Sequence, residues 1–73
     1  MTENQVTLNA AINGERRSFP ARSTLLDIVQ ALGLDPERVA IEFNRTIVKR
    51  EFWTSTAIEE GAEIEIVQFV GGG

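Results

Sequence analysis

A chain of 73 residues makes one small domain, and its apolar side chains, 42% of the sequence, must share a single core. With neither cysteine nor histidine there is no disulfide, thiolate nucleophile, iron–sulfur cluster, thiolate zinc site or imidazole, which leaves carboxylates, hydroxyls and the lone Lys49 for any chemistry of its own. A formal charge of −4 speaks against a phosphate-gripping nucleic-acid face and suits a protein that meets other proteins. Met1–Gln5 carries no basic and apolar leader pattern, and no apolar run approaches the roughly 20 residues of a membrane helix, so the cytosol is the expected compartment.

In chain order, Val6, Leu8, Ala10 and Ile12 alternate with polar or small residues, the period of a half-buried strand. Asn13-Gly14 then fits a type I′ hairpin turn, because both residues tolerate positive φ. Glu15 to Phe19 reads as the returning strand, with Arg17 and Phe19 on one face and Pro20 closing it. A helix follows with both ends marked. Thr24 and Asp27 form a capping box, Leu25, Leu26, Ile28, Val29 and Leu32 make an apolar stripe, and Gly33-Leu34 suits a Schellman ending closed on Val29. Asp35-Pro36 opens a short turn.

Val39, Ile41 and Phe43 alternate as a further strand, Asn44-Arg45 reads as a tight turn, and Thr46-Ile47-Val48 as a short strand. Phe52-Trp53 is expected to plug one edge of the core. Glu60-Gly61 marks a turn, and Glu63 to Val70 the last strand. The economical way to bury these surfaces is an α+β domain, a mixed sheet of four to five strands with one main helix across one face.

The last strand breaks its own pattern. Ile64 and Ile66 share one face, while Glu63, Glu65, Val67 and Phe69 share the other, which turns from acidic to apolar. Either a bulge, twist or neighbouring loop buries Val67 and Phe69, or they form a docking patch. Gly71, Gly72 and Gly73 then bury nothing and have no preferred conformation. They are either a frayed end or an arm, reaching roughly 10 Å when extended, that carries the α-carboxylate of Gly73.

Read together, the Asn13-Gly14 hairpin, Pro20, Thr24-Leu25-Leu26-Asp27, Ala31-Leu32-Gly33-Leu34, Val39–Asn44, Ile47-Val48, Arg50, Trp53, Gly61 and Ile66–Gly73 resemble the ThiS family of ubiquitin-like sulfur carriers of bacterial thiamine biosynthesis. The resemblance covers nearly the whole chain after Gln5. It departs at Lys49, where the family often has proline, and at Arg45, where it often has Gly or Gln, which bears on the geometry of that turn.

The resemblance implies a β-grasp domain over residues 1–70 and a flexible glycine tail over residues 71–73. It implies that an E1-like adenylating enzyme spends ATP, with magnesium, to join the Gly73 carboxylate to AMP. Sulfur from a cysteine desulfurase or another donor then displaces AMP, and thiazole synthase accepts it from the resulting thiocarboxylate. On that reading Gly73 is the modified residue and Gly71 and Gly72 thread partner active sites. Val67, Phe69 and Val70 dock, and the chain, a monomer when free, is a co-substrate with no catalytic residue, metal or bound cofactor of its own.

Other readings share the fold. They are a carrier for molybdopterin synthase, for cysteine synthesis or for tRNA thiolation, a protein modifier, and a non-covalent ubiquitin-like binding module that uses Val67 and Phe69 alone. Arg16, Arg17 and Arg22 form a possible small basic patch, and Glu59-Glu60 and Glu63/Glu65 are paired acids that read as surface charge or as a negative rim for a basic partner.

Overall fold

The computed structural model describes residues 7–70; Val6 of the first expected strand and residues 71–73 lie outside the described residues. Strands β1 (Thr7–Ile12) and β2 (Glu15–Pro20) pair antiparallel across Asn13-Gly14, whose φ angles of 52° and 83° are those of a type I′ turn. Arg17 and Phe19 lie on one face, opposite Ala10 and Leu8. Phe19 is buried, whereas Arg17 is exposed and reaches back to the Glu15 carboxylate at 3.7 Å. Pro20 ends β2, and β2 is an edge strand, where a residue without an N–H is tolerated.

Helix α1 (Leu25–Ala31) has the ends its sequence marks. The Asp27 N–H donates to Thr24 Oγ1 at 3.2 Å, and the Thr24 N–H donates to Asp27 Oδ2 at 2.9 Å, completing the capping box. Gly33 takes φ 74° and donates to the Gln30 carbonyl, while the Leu34 N–H donates to the Val29 carbonyl at 3.1 Å, the paired bonds of a Schellman ending. Leu25, Ile28 and Val29 are buried, with Leu26, Leu32 and Leu34 packed half-buried around them.

A 3-10 turn, Pro36–Arg38, follows, with the Asp35 carboxylate accepting from the Glu37 N–H. It leads into β3 (Val39–Phe43), the Asn44-Arg45 turn at φ 48° and 72°, and β4 (Thr46–Val48). The departure to Arg45 therefore leaves the turn in its tight form.

A second 3-10 segment, Arg50–Ser55, corrects the expectation that Phe52 and Trp53 together plug the core. Trp53 does so, buried with its Nε1–H donating to the Val48 carbonyl at 2.8 Å, but Phe52 is exposed. In a helix with three residues per turn, neighbours project roughly 120° apart, so only one of the two can face inward. The chain after it is bonded to the start of α1, through Leu25 N–H to the Thr56 carbonyl and Ile58 N–H to the Ser23 carbonyl.

The last strand, β5 (Ala62–Gln68), is shorter at its C-terminal end than Glu63 to Val70. Its partner β3 begins at Val39, which pairs with Gln68, so the ladder runs out there; one more bond joins the Phe69 N–H to the Arg38 carbonyl at 2.7 Å. The five strands order as β2-β1-β5-β3-β4, with β5 parallel to β1 and antiparallel to β3. Ile64 and Ile66 of β5, Ile12 of β1 and Ile41 of β3 are buried in one core with Leu25, Ile28 and Val29 of α1. The domain is thus α+β with a mixed sheet, as its patterning predicts. Among the described residues no helix is long and apolar enough to cross a membrane.

Candidate functional site

The outer face of the sheet, opposite α1, settles the two readings of Val67 and Phe69 in favour of exposure. Alternation along β5 buries Ile64 and Ile66 and turns Glu63, Glu65 and Val67 outward. Among the described residues neither a bulge nor a loop covers them. Val67 is 60% exposed, Phe69 53%, Val70 85%, and Ile47 of β4 74%. Val67 stands opposite Ala40, Glu65 opposite Glu42, and Ile47 on the far side of Glu42. Together with Arg45 they line a shallow open groove. Ile47 and Glu42 escape the sequence reading because β4 and β5 meet on this face only through β3.

The strand that leads to residues 71–73 is held firmly on both edges. On the β1 side, direct pairing covers Ala10 to Ile12 against Ala62 to Ile64. Side chains extend it at both ends. Asn13 Oδ1 accepts from the Ile66 N–H at 2.7 Å while Asn13 Nδ2 donates to the Ile66 carbonyl at 3.1 Å, so one amide side chain imitates a peptide group. At the other end the Asn9 N–H donates to Glu60 Oε1 at 2.9 Å. On the β3 side, Asn44 Oδ1 accepts from the Glu63 N–H at 2.8 Å.

Other expected clusters separate. Arg16 stands opposite Ala11 and Arg17 opposite Ala10, so the two arginines lie on opposite faces of the sheet and make no common patch. Of the acid pair Glu59-Glu60, Glu60 is bound to Asn9, whereas Glu63 and Glu65 do share the outer face. Among the described residues no three acidic side chains are placed to hold a metal ion. The expected site residues Gly71, Gly72 and Gly73 lie outside the described residues.

A five-stranded mixed sheet with one helix on one face, its last strand central and leading outward, defines the β-grasp, ubiquitin-like class. The chain belongs to the ThiS family, which it matches over residues 6–73. The crystal structure of the thiamine biosynthesis protein ThiS from Geobacter metallireducens superposes with a TM-score of 0.74 at 26% identity, covering 90% of this chain and 100% of that one. Thiazole synthase of Paramagnetospirillum magneticum is 39% identical over 66 residues, 90% of this chain, but the match spans only 20% of that enzyme's length. Uncharacterized protein ycf40 of Porphyra purpurea is 33% identical over 66 residues, 93% of its own length.

Proposed function

We propose that this protein is a sulfur carrier of thiamine biosynthesis, a co-substrate whose chemistry sits on the C-terminal carboxylate of Gly73. The observation that carries the reading is the ThiS family match, which spans residues 6–73. Similarity to proteins named for thiamine biosynthesis and for thiazole synthase supports the pathway.

The chemistry follows from the poor electrophilicity of a carboxylate, which would have to expel oxide. An E1-like partner supplies ATP and magnesium; a Gly73 carboxylate oxygen attacks the α-phosphorus, pyrophosphate departs, and the acyl group acquires AMP as a leaving group. A persulfide sulfur, from a cysteine desulfurase or another donor, then displaces AMP. The resulting acyl–S–S–donor bond is cleaved by a thiol, which ends in a disulfide with the donor's sulfur and leaves the acyl group as a thiocarboxylate. Thiazole synthase takes the sulfur, and the carrier returns to its carboxylate.

In this scheme Gly71 and Gly72, lacking a Cβ, let the end thread a narrow channel. Val67, Phe69 and Val70 dock the strand that precedes it. Their exposure suits that role, since an apolar cluster on the surface of a small domain contributes nothing to its core. The test is the intact mass of the protein after incubation with ATP, an adenylating enzyme and a sulfur donor. One oxygen is expected to be replaced by sulfur; an unchanged mass with a partner set of verified activity overturns the reading.

A further inference from the structure

We propose that Asn13 is a modification site: it deamidates through attack by the main chain of Gly14, and β5 controls the reaction by holding the Asn13 amide away. Of the four asparagines, Asn4, Asn9, Asn13 and Asn44, only Asn13 precedes a glycine. A residue with a Cβ crowds its own main-chain nitrogen, and Gly14 has none. Asn44 opens a turn of the same kind at φ 48°, but Arg45 follows it.

The Gly14 nitrogen forms a bond to Asn13 Cγ, the bond from Cγ to Nδ2 breaks, and ammonia leaves with the proton that the Gly14 N–H gives up. Water then opens the cyclic imide. Cleavage at one carbonyl gives aspartate; cleavage at the other gives isoaspartate, in which the main chain runs through the side-chain carbons. The reaction consumes only water, and nothing in it depends on sulfur transfer.

In the folded domain the Asn13 amide is engaged elsewhere. Oδ1 accepts from the Ile66 N–H at 2.7 Å and Nδ2 donates to the Ile66 carbonyl at 3.1 Å. Closing the ring draws Cγ onto the Gly14 nitrogen and pulls both atoms off Ile66. The Asn13 N–H is tied to the Ile64 carbonyl at 2.8 Å, which also fixes the main chain on which the ring would close. Yet Asn13 and Gly14 are exposed, and direct β1–β5 pairing stops at Ile12 opposite Ile64. Beyond that point, among the described residues, Asn13 alone bonds this edge of β5. The contact therefore opens by lifting the end of the strand, without unfolding the core.

Neither product restores the clamp. Aspartate keeps an acceptor for the Ile66 N–H but sets its other oxygen against the Ile66 carbonyl, acceptor against acceptor. Isoaspartate lengthens the main chain of a turn in which two residues join the paired Ile12 and Glu15, so the type I′ geometry is lost. A transient opening of β5 thus becomes a permanent mark that loosens the same strand.

The test ages the whole protein in warm, mildly alkaline buffer, folded and in urea. Peptide mapping that separates asparagine, aspartate and isoaspartate follows each site. In urea Asn13 is expected to convert well ahead of Asn9 and Asn44. In the folded protein its conversion is expected to slow by the factor that protects the Ile66 amide from hydrogen exchange, to within about threefold. Aged protein is expected to exchange the Ile66 amide faster than fresh protein. Equal rates folded and in urea, or a folded rate that does not follow the Ile66 protection, overturn the control by β5. Conversion of Asn9 or Asn44 as fast as Asn13 in urea, or no conversion of Asn13 there, overturns the site. Ile66 exchange unchanged by ageing overturns the loosening.

Discussion

Asn13 and Asn44 hold the last strand from its two edges, Asn13 at Ile66 and Asn44 at Glu63. Each opens a two-residue turn at positive φ, a conformation asparagine accepts more readily than most residues. Each also bonds β5 through its main chain, the Asn13 N–H to the Ile64 carbonyl and the Asn44 N–H to the Glu63 carbonyl. The turns that end β1 and β3 therefore double as clamps on β5.

This double role separates into two measurable parts. Asn13→Gly keeps the backbone conformation and removes both side-chain bonds to Ile66, so it is expected to cost about 1–3 kcal/mol in denaturant unfolding. Asn13→Asp retains the acceptor for the Ile66 N–H but loses the donor to the Ile66 carbonyl, and should fall between Gly and wild type. Equal stability of all three would show that the turn, and not the clamp, accounts for Asn13.

The capping box at the start of α1 predicts a loss of a similar kind. Thr24→Ala removes the acceptor for the Asp27 N–H and is expected to cost about 1 kcal/mol, or roughly 4–8 °C in Tm for a domain of this size. Asp27→Ala removes the reciprocal bond to the Thr24 N–H. Because both belong to one motif, the double variant should lose less than the two singles summed, which thermal unfolding of the three variants tests directly.

Exposure makes Val67 and Phe69 separable from the fold. Val67→Ser and Phe69→Ser are expected to change stability by no more than about 0.5 kcal/mol, because neither side chain belongs to the core. In an adenylation assay both should raise the KM for the carrier while leaving kcat near its wild-type value, since the substitutions weaken docking and do not touch the reacting carboxylate. A large loss of stability, or a KM that does not move, would contradict the assignment of these residues to docking.

What could be read from the chain alone was what is local. Asn13-Gly14, Thr24 with Asp27, and Gly33-Leu34 carry their geometry within a few positions, and the turn, the cap and the Schellman ending form as those residues dictate. The clamps were not legible, because Asn13 and Ile66 are 53 positions apart. Their meeting depends on β5 inserting between β1 and β3. The acidic pair Glu42 and Glu65 was hidden for the same reason, since strand register decides which residues face one another. Phe52 and Trp53 cannot be told apart in the sequence, because their irregular stretch has no period that separates their faces. β5 ends at Gln68, before its apolar run does, because its hydrogen-bond partner β3 begins at Val39.

The central claim is that the useful chemistry of this domain resides on its terminal glycine and not on any side chain. The most direct measurement is top-down mass spectrometry of the protein after reaction with ATP, its adenylating enzyme and a sulfur donor. The account predicts that one oxygen is exchanged for sulfur, that fragmentation places the exchange at Gly73, and that deleting Gly73 abolishes it. Sulfur found on any other residue, or a protein left unmodified by partners shown to be active on another carrier, would contradict it.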